Sequence, residues 1–184
     1  MIKTHVNIPI VLFFCFFASI KVNAQKEIKP VGKYVDFGFK KVEARKIEAI
    51  IVHSVFNNSG GDFYDVDLIL KQFSHYRVSA HYVIGRDGTI YQLVKERDVA
   101  YHAGKSRLPN GRKGVNSCSI GIELITAFTE APTNEQIQAL AALTNNIKSR
   151  YTIKFVLRHS DIAPGRKTDP WNMNWDDFLS KLNE

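Results

Sequence analysis

The sequence predicts a single α/β domain in which helices flank a central mixed β-sheet. Short, continuous apolar runs, typical of buried strands, alternate with segments whose apolar residues recur at helical spacing. An Asp-Gly turn between two further apolar segments predicts a hairpin, so part of the sheet must be antiparallel. The 184 residues are enough for one domain with a sizeable core.

The first half of the predicted domain is strand, loop, helix and hairpin, in that order. Ala49–Val52 is a β-branched apolar run that predicts a buried strand, and the Asn- and Gly-rich residues 57–62 predict the loop after it. Asp65–Phe73 carries apolar residues at helical spacing behind a capping aspartate, which predicts a helix. His81–Ile84 and Thr89–Leu93 flank Gly-Arg-Asp-Gly and form the predicted hairpin.

The second half is predicted to begin with a long loop and to continue as alternating strands and helices. Residues 99–116 are rich in Gly, Lys, Arg and Asn, which predicts a surface loop of a length that is usually functional or disordered. Ser119–Ile125 predicts a second buried strand. A Thr-Asn-Glu-Gln capping box opens a predicted helix over 133–151. Phe155–Leu157 and Trp175–Leu182 predict the last strand and a closing helix.

Residues 1–24 are predicted to be a cleaved secretory signal peptide. A basic start precedes an apolar run over Val6–Ile20 that is too short for a comfortable membrane span, and Val22–Ala24 suits a cleavage site. An uncleaved N-terminal anchor is the alternative. We expect an extended, loosely packed lead-in over 25–46 and the globular domain over 47–184.

The predicted mature chain is moderately basic. Removing residues 1–24 takes two lysines and no acids, so the formal charge falls from +7 to +5. This excess favours an anionic polymer as a partner, but the sequence shows no basic stripe interleaved with aromatic residues, so nucleic acid is not expected. Cys118 is the one cysteine left after cleavage, which excludes an intramolecular disulfide and suits a small buried packing residue.

Two histidines directly follow predicted buried strands, which indicates a site at one edge of the sheet. His53 follows the first strand and His159 the last, and side chains at neighbouring strand ends converge at a rim where α/β proteins bind ligands. The loop after His159, shaped by prolines and a glycine, can bring Asp169 back to this rim. Each histidine alone is more simply a packing residue. The three together favour a catalytic zinc site with an open fourth position.

Three further residues are candidates for chemistry. Glu123 lies in a predicted buried strand, where a carboxylate is costly unless it is paired or protonated; an acid–base role and a structural pair with Arg or Lys explain it equally well. Lys167 can stabilise an oxyanion or be an ordinary solvated lysine. His102, on the long loop, can line a polar substrate groove, whereas His81 enters a strand and is assigned to structure.

These residues resemble the zinc-dependent N-acetylmuramoyl-L-alanine amidases, the amidase type 2 family that also includes peptidoglycan recognition proteins. The likeness covers roughly Ile47 to Trp175, and the stretch from His159 to Pro170 is its most specific part. The motifs that carry it are Ile51-Val52-His53, Ser79-Ala80-His81-Tyr82-Val83-Ile84, Arg86-Asp87-Gly88, Tyr101-His102-Ala103-Gly104, Asn116, Ser119-Ile120-Gly121-Ile122-Glu123-Leu124 and His159–Pro170.

The resemblance implies an amidase-like version of the predicted α/β fold and a Zn²⁺ cofactor. It implies hydrolysis of the amide between the lactyl group of N-acetylmuramic acid and the L-alanine of the stem peptide, in peptidoglycan or muropeptides. The site residues that it implies are His53, His159 and Asp169 as zinc ligands, Glu123 as the acid–base group, Lys167 as the oxyanion stabiliser, and His102, Ala103 and Asn116 at the substrate.

Two departures from the family pattern bear on the shape of the groove. Ser54 stands where many relatives carry a second histidine or an aromatic residue, and Trp171 stands where glycine is usual. A peptidoglycan-binding module without catalysis and a zinc hydrolase of another amide are the alternative functions. The leader predicts action outside the cytoplasm, in the periplasm or beyond, with no stable membrane insertion after cleavage. We expect a monomer, although the sequence carries no signal for the oligomeric state.

Overall fold

The computed structural model describes Met1 and residues 28–183. The predicted signal peptide, apart from Met1, lies outside the described residues, so its cleavage stays a prediction. The domain limits of 25–46 and 47–184 stay predictions as well. Among the described residues, no helix has the length and apolar character that a membrane crossing requires.

A mixed six-stranded sheet forms the centre of the fold, as the sequence predicts. The strands of the described residues are β1 (Val31–Gly32), β2 (Phe39–Lys40), β3 (Ala49–Val55), β4 (Tyr82–Ile84), β5 (Ile90–Gln92), β6 (Val99–Ala100), β7 (Ser119–Ile125) and β8 (Phe155–Arg158). The order across the large sheet is β1-β5-β4-β7-β3-β8, and β2 pairs with β6 in a separate ribbon. Within the large sheet, the hairpin pair β4–β5 is antiparallel and the other pairs are parallel.

Helices cover the sheet, and two of them begin at the predicted caps. The Asp65 side chain accepts a hydrogen bond from the Leu68 amide at 2.9 Å, and Thr133 with Gln136 forms the reciprocal capping box. The helices of the described residues are α1 (Val66–Tyr76), α2 (Asn134–Arg150), α3 (His159–Ile162) and α4 (Trp175–Ser180), with 3₁₀ turns over Val115–Cys118 and Lys181–Asn183. The short helix α3 was not predicted.

Both faces of the sheet bury apolar side chains, because successive residues of a strand point to opposite faces. Ile50 and Val52 of β3 belong to the cluster that includes residues of α2 and α4. Ile51 lies in a second cluster, with residues of the segment 103–118, and Val83 lies in a third, with residues of α1. Each fully buried Ile or Val stabilises the fold by roughly 1.5–3 kcal/mol.

The predicted end of the first strand, before His53, is wrong. β7 pairs with β3 along its whole length, from Ala49 opposite Ser119 to Val55 opposite Ile125. The neighbouring strand therefore supplies ladder partners beyond the apolar run, and a polar side chain such as His53 can sit inside the strand. Only the pairing, which the apolar pattern does not encode, decides where the strand ends.

The prediction that residues 99–116 are a surface loop is correct for most of the segment, but not for its two ends or for three buried side chains. This segment begins with β6, ends in a 3₁₀ turn, and buries Ala103, Leu108 and Val115 to 1% exposure or less. These three side chains pack in the cluster that contains Ile51, so the segment covers one face of the sheet. Because most residues of the segment are polar, the sequence pattern did not indicate that these three apolar residues are buried.

The described part of the lead-in packs against the domain, contrary to the loose packing that we predict for it. Phe37 and Phe39 contact the apolar cluster beside α1. The Arg45 guanidinium donates hydrogen bonds to the carbonyls of Glu96, Asn116 and Ser119 at 2.7–3.0 Å. Arg45 therefore ties the lead-in to the segment that precedes β7.

A buried carboxylate joins the end of α2 to the rest of the domain. Glu96 is 8% exposed and accepts hydrogen bonds from the Tyr82 hydroxyl at 2.8 Å, from the Tyr151 hydroxyl at 2.9 Å and from the Arg150 guanidinium. Burial alone would raise the pKa of Glu96, but the hydrogen bonds from Arg150 and Tyr82 outweigh it and hold the pKa below its usual value. The ionised carboxylate is therefore the form that stabilises the fold.

We expect Glu96→Gln to destabilise the fold at pH 7 by about 1.5–3 kcal/mol, the contribution of hydrogen bonds to a charged group. Because the folded pKa is lowered, this stabilisation is present above the unfolded pKa of about 4.3 and is lost as pH falls through the folded value. Denaturant unfolding at pH 7 and pH 3 measures both effects, with the exposed Glu135→Gln as control. An equal loss at the two pH values would contradict the assignment.

Candidate metal centre and active site

Strand register places His53 and Glu123 side by side. They are Cα partners in the parallel pair β3–β7. Two residues earlier, on the same face of the sheet, Ile51 is the partner of Gly121. His159 is the first residue of α3, directly after β8. β8 is the other neighbour of β3, so the sheet brings all three side chains to one rim.

The loop after α3 returns Asp169 to the two histidines, as the sequence predicts. The Ser160 amide donates to the Asp169 carbonyl at 3.0 Å, and the Trp171 amide donates to the Ser54 hydroxyl at 3.3 Å. These bonds hold the loop against α3 and β3 on either side of the carboxylate. Ser54 and Trp171, the two departures from the family pattern, are therefore in contact with each other. The Asp169–Pro170 peptide bond is cis.

Three ligand atoms converge in this rim. His53 Nδ1 lies 2.9 Å from His159 Nδ1, and Asp169 Oδ2 lies 3.5 Å from the first and 3.0 Å from the second. Tetrahedral bonds of about 2.0–2.2 Å to one ion would separate the ligand atoms by roughly 3.3–3.6 Å. The observed separations are within a few tenths of an ångström of that range, so the cluster can hold a metal ion.

The electrostatics of the cluster favour the protonation states that metal ligands need. Burial lowers the pKa of His53 to about 4, although the Asp169 carboxylate, 3.5 Å from Nδ1, opposes the effect. Burial would raise the pKa of Asp169, but its contacts with His159 and His53 hold the pKa far below the usual range. At neutral pH the site therefore contains a neutral imidazole at His53 and an ionised carboxylate, as coordination requires.

Glu123 is a buried carboxyl group without a partner at one oxygen. Its Oε2 atom is buried and has no hydrogen-bond partner among the described residues. Burial, together with the negative charge of Asp169, raises the pKa of Glu123 to about 8, against a smaller opposing effect of Lys167. A structural pair, the alternative that the sequence leaves open, would have engaged this oxygen with Arg or Lys.

A cavity of about 230 Å³ brings the ligands and Glu123 together with Lys167. Lys167 follows the turn after α3, where its amide donates to the Ala163 carbonyl at 3.1 Å. Its ammonium group is close enough to lower the pKa of both His53 and Glu123 as a minor cause. The other residues that line the cavity are Ser54, Val55, Phe73, Val78, Ser79, Tyr101, His102 and Trp171.

His102 lies behind His53 and is held in place by contacts within the protein. His53 Nε2 is 2.9 Å from His102 Nδ1, and His102 Nε2 is 3.2 Å from the Ser119 hydroxyl. The ring covers Gly121, where an added Cβ would lie 2.4 Å from His102 Cγ, so only glycine leaves room for it. Burial, followed by the charges of His53 and His81, lowers the pKa of His102 well below its usual value.

Asn116 and Ala103 also use their polar groups inside the protein. The Asn116 side-chain oxygen accepts from the backbone amides of His102 at 3.2 Å and Ala103 at 2.8 Å. The Ala103 carbonyl accepts from the Arg166 guanidinium at 2.9 Å and lies 3.3 Å from His159 Nε2. Contacts of His102, Ala103 and Asn116 with a substrate stay a prediction.

His81 has the structural role that the sequence assigns to it. It is fully buried, and its Nδ1 accepts a hydrogen bond from the Gly121 amide at 3.0 Å. Burial and the nearby Arg45 guanidinium lower its pKa to about 3, so the ring is neutral at physiological pH.

A row of aromatic side chains beside the cavity was not predicted. The ring of Trp171 makes edge contacts with Phe56 and Phe128 at centroid distances of 5.7 and 5.4 Å, and Phe56 contacts Phe63 at 5.9 Å. Phe63 and Phe128 are 51% and 60% exposed. The residues come from three separate loops, so no local pattern in the sequence could have grouped them. An exposed apolar patch beside a polar cavity is typical of a ligand groove.

A second cavity, of about 730 Å³, is strongly basic. Lys105, Arg107, Lys113 and Arg166 line it, and none of the described residues that line it is acidic. Arg166 joins it to the candidate metal centre, because its guanidinium donates to the carbonyls of Ala103 and Lys105. The one sign of this cavity in the sequence is a general richness in Lys and Arg over 99–116.

The fold and the site define an α/β domain whose mixed sheet carries a buried centre of two histidines and one carboxylate at its rim, an arrangement that metal-dependent hydrolases use. The profile of the N-acetylmuramoyl-L-alanine amidase family matches residues 43–172. The chain belongs to this family, which confirms the predicted resemblance.

The similar proteins include enzymes that are named as N-acetylmuramyl-L-alanine amidases. The 1,6-anhydro-N-acetylmuramyl-L-alanine amidase AmpD of Citrobacter freundii is 46% identical over 108 residues, 57% of each chain. The N-acetylmuramoyl-L-alanine amidase AmiD of Escherichia coli K12 is 35% identical over 143 residues, which are 68% of this chain and 49% of AmiD. The chain thus spans about half the length of these relatives.

Solved structures confirm the predicted fold class. A selenomethionine derivative of AmpD superposes with a TM-score of 0.69 at 33% identity, over 82% of this chain and 94% of that chain. Escherichia coli AmiD, in complex with the substrate anhydro-N-acetylmuramic acid-L-Ala-D-γ-Glu-L-Lys, superposes with a TM-score of 0.63 at 30% identity, over 77% and 60% of the two chains.

Proposed function

We propose that this chain is a zinc-dependent amidase that cleaves the bond between N-acetylmuramic acid and L-alanine in peptidoglycan or its fragments. The observation that carries the proposal is one cavity that contains three converging ligand atoms, a buried carboxyl group without a partner at Oε2, and a lysine. Membership of the amidase family and the names of the relatives supply the substrate class.

The donor set supports zinc over harder cations. Two imidazole nitrogens and one carboxylate oxygen in a compact, buried cluster suit Zn²⁺, whereas Mg²⁺ and Ca²⁺ prefer oxygen ligands in larger number. His53, His159 and Asp169 would hold the ion. A bound zinc supplies a Lewis acid that activates water and polarises a carbonyl.

Glu123 is the group that holds and moves the proton in this proposal. Its raised pKa, about 8, keeps it close to the pH at which a group both accepts and donates protons efficiently. It accepts a proton from the attacking water and returns one to the leaving amine of L-alanine. Its Oε2 atom lies next to the ligand His53 and makes no hydrogen bond among the described residues, so it is available to exchange a proton with the water or the amine.

Lys167 stabilises the negative charge that develops on the amide oxygen. An ammonium in a partly closed cavity stabilises a developing oxyanion far more than one in water does. Its place in the cavity with His53 and Asp169 allows this role. In this proposal Lys167 stabilises the oxyanion, and Glu123 transfers protons.

The two neighbouring surfaces match the two halves of the substrate. The aromatic row that contains Trp171 offers an apolar wall for the sugar, and the basic cavity next to Arg166 complements the carboxylates of a stem peptide. The substrate would therefore lie across the ligands, from Trp171 towards Arg166, beside the loop that holds Ala103 and Asn116. We further propose export, on the basis of the leader over residues 1–24, and action as a monomer.

The first test is mass spectrometry of purified peptidoglycan after digestion by the chain from Gln25 onward. We expect free stem peptides that begin at L-alanine, no release after chelation, and release again when zinc is added back. Binding to peptidoglycan without release in the zinc-loaded protein would favour the recognition module. Cleavage of other amides only would favour the alternative zinc hydrolase.

A further inference from the structure

We propose that His102 is a positioning residue that fixes which nitrogen of His53 carries the proton, through a hydrogen-bond chain that starts at the Val115 carbonyl. The inference rests on the proposed function, because a fixed tautomer matters only if His53 Nδ1 binds a metal ion. It gives His102 a role through another residue, in place of a contact with substrate.

The direction of the hydrogen bonds in this chain follows from the Val115 carbonyl, at which it starts. The Ser119 hydroxyl lies 2.7 Å from the Val115 carbonyl, and a carbonyl oxygen can only accept, so the hydroxyl proton is committed there. Ser119 must then accept from His102 Nε2, which lies 3.2 Å away. In a neutral imidazole, a proton on Nε2 leaves Nδ1 as an acceptor.

The same logic then reaches the metal ligand. His102 Nδ1, now an acceptor, lies 2.9 Å from His53 Nε2, so this nitrogen of His53 must carry the proton. The lone pair of His53 is thereby left on Nδ1, the atom that faces His159 and Asp169. Donation from the second ring nitrogen of a ligand histidine sets its tautomer and orients its ring.

The same segment of chain also offers an acceptor to the second histidine ligand. His159 Nε2 lies 3.3 Å from the Ala103 carbonyl, which can only accept, so Nε2 can donate there when Nδ1 binds a metal ion. Asn116 holds the backbone of His102 and Ala103 through their amides. Residues 102–119 thus provide an acceptor for the second ring nitrogen of both imidazoles.

The β7 strand is built to accept this ring. Ser119, Gly121 and Glu123 are every second residue of β7, so they point to the same face of the sheet. Along this face they present a hydroxyl group, an empty space and a carboxyl group, in that order. His102 fills the space over Gly121, with its Nε2 towards Ser119. Because both ring nitrogens of His102 are engaged within the protein, neither is free to bind substrate.

The first experiment reads the tautomer directly, without metal and without activity. Long-range ¹H–¹⁵N correlation spectra of the metal-free chain should show the proton of His53 on Nε2. Ser119→Ala removes the hydroxyl with little change in volume, so His102 loses its committed acceptor, and we expect a mixture of His53 tautomers. A wild-type His53 protonated on Nδ1, or a Ser119→Ala spectrum identical to the wild type, would overturn the inference.

The second experiment compares two variants of nearly equal shape. Asn can present an oxygen at the place of His102 Nδ1, whereas Leu cannot accept a hydrogen bond there. We expect His102→Leu to bind zinc about 10–100-fold more weakly, the usual effect of removing an outer-sphere partner, and His102→Asn to stay close to the wild type. Competition with a chelator measures the affinities, and circular dichroism checks that each variant is folded.

The outcomes separate this inference from the proposed function. Equal zinc affinity of His102→Leu, His102→Asn and the wild type, with KM raised in both variants, would show a substrate contact and refute the positioning role. A wild-type chain that binds no zinc would defeat the proposed function, while the tautomer spectra would still report on the hydrogen-bond chain. Tighter binding by His102→Asn than by His102→Leu, with KM unchanged at saturating zinc, supports the proposal.

Discussion

Glu123→Gln should lower kcat/KM for muropeptide cleavage by about 10²–10⁴-fold, the usual contribution of a positioned proton-transfer group. Gln has almost the same shape but cannot accept and return a proton. Zinc affinity should remain within a few-fold of the wild type, because Glu123 is not among the three converging ligands. Steady-state rates with a muropeptide and chelator competition measure the two quantities. Full activity would exclude Glu123 from the reaction.

A stability measurement on the metal-free Glu123→Gln variant tests the environment of the same group. The pKa of Glu123 is raised to about 8, so the folded protein binds more protons than the unfolded chain between about pH 4.3 and that value. The wild type therefore loses stability from Glu123 as pH rises through this window. The variant should be about as stable as the wild type at pH 4 and more stable at pH 8, by up to about 5 kcal/mol.

The exposed substitution Glu43→Gln is the matched control for both measurements. It makes the same chemical change far from the cavity, so it should alter neither kcat/KM nor the pH dependence of stability. If Glu123→Gln lost activity and stability together at every pH, the residue would be structural. If activity fell but the pH dependence of stability did not change, the catalytic role of Glu123 would stand and its raised pKa would be wrong.

Asp169→Asn should abolish metal-dependent turnover. Asp169 supplies the one negative charge among the three converging ligands, and an amide in the same place cannot replace it. Loss of an outer-sphere partner already weakens metal binding by about 10–100-fold, so loss of a direct ligand should weaken it by more than about 100-fold. Zinc content after dialysis, together with turnover at stoichiometric zinc, measures the result.

The exposed Asp176→Asn is the control for this prediction, since it removes the same charge outside the cavity. It should retain one zinc per chain and full turnover. Asp169→Asn with wild-type zinc content and activity would remove Asp169 from the ligand set and with it the main support for the proposed metal centre. Partial rescue of Asp169→Asn by excess zinc would be consistent with weakened binding.

Local patterns were sufficient for much of the fold. The Asp-Gly turn predicted the hairpin of β4 and β5, and the capping box predicted the start of α2, because turn and cap chemistry is set within four residues. The prediction for the segment 99–116 was incomplete for the opposite reason. Its polar majority predicted a surface loop, whereas three isolated apolar residues decide its position by packing on a sheet face formed by distant strands.

The sequence by itself determined the class of fold, the resemblance to the amidases and the three candidate ligands. His53 and His159 could be named because each directly follows an apolar run, and Asp169 because it lies in a loop shaped by prolines and a glycine; such patterns are local in the sequence. Only the tertiary structure decided that their ligand atoms converge, that the buried Oε2 of Glu123 has no hydrogen-bond partner among the described residues, and that His102 stands behind His53. These facts depend on the register between β3 and β7 and on contacts between residues far apart in the chain, which no local pattern specifies.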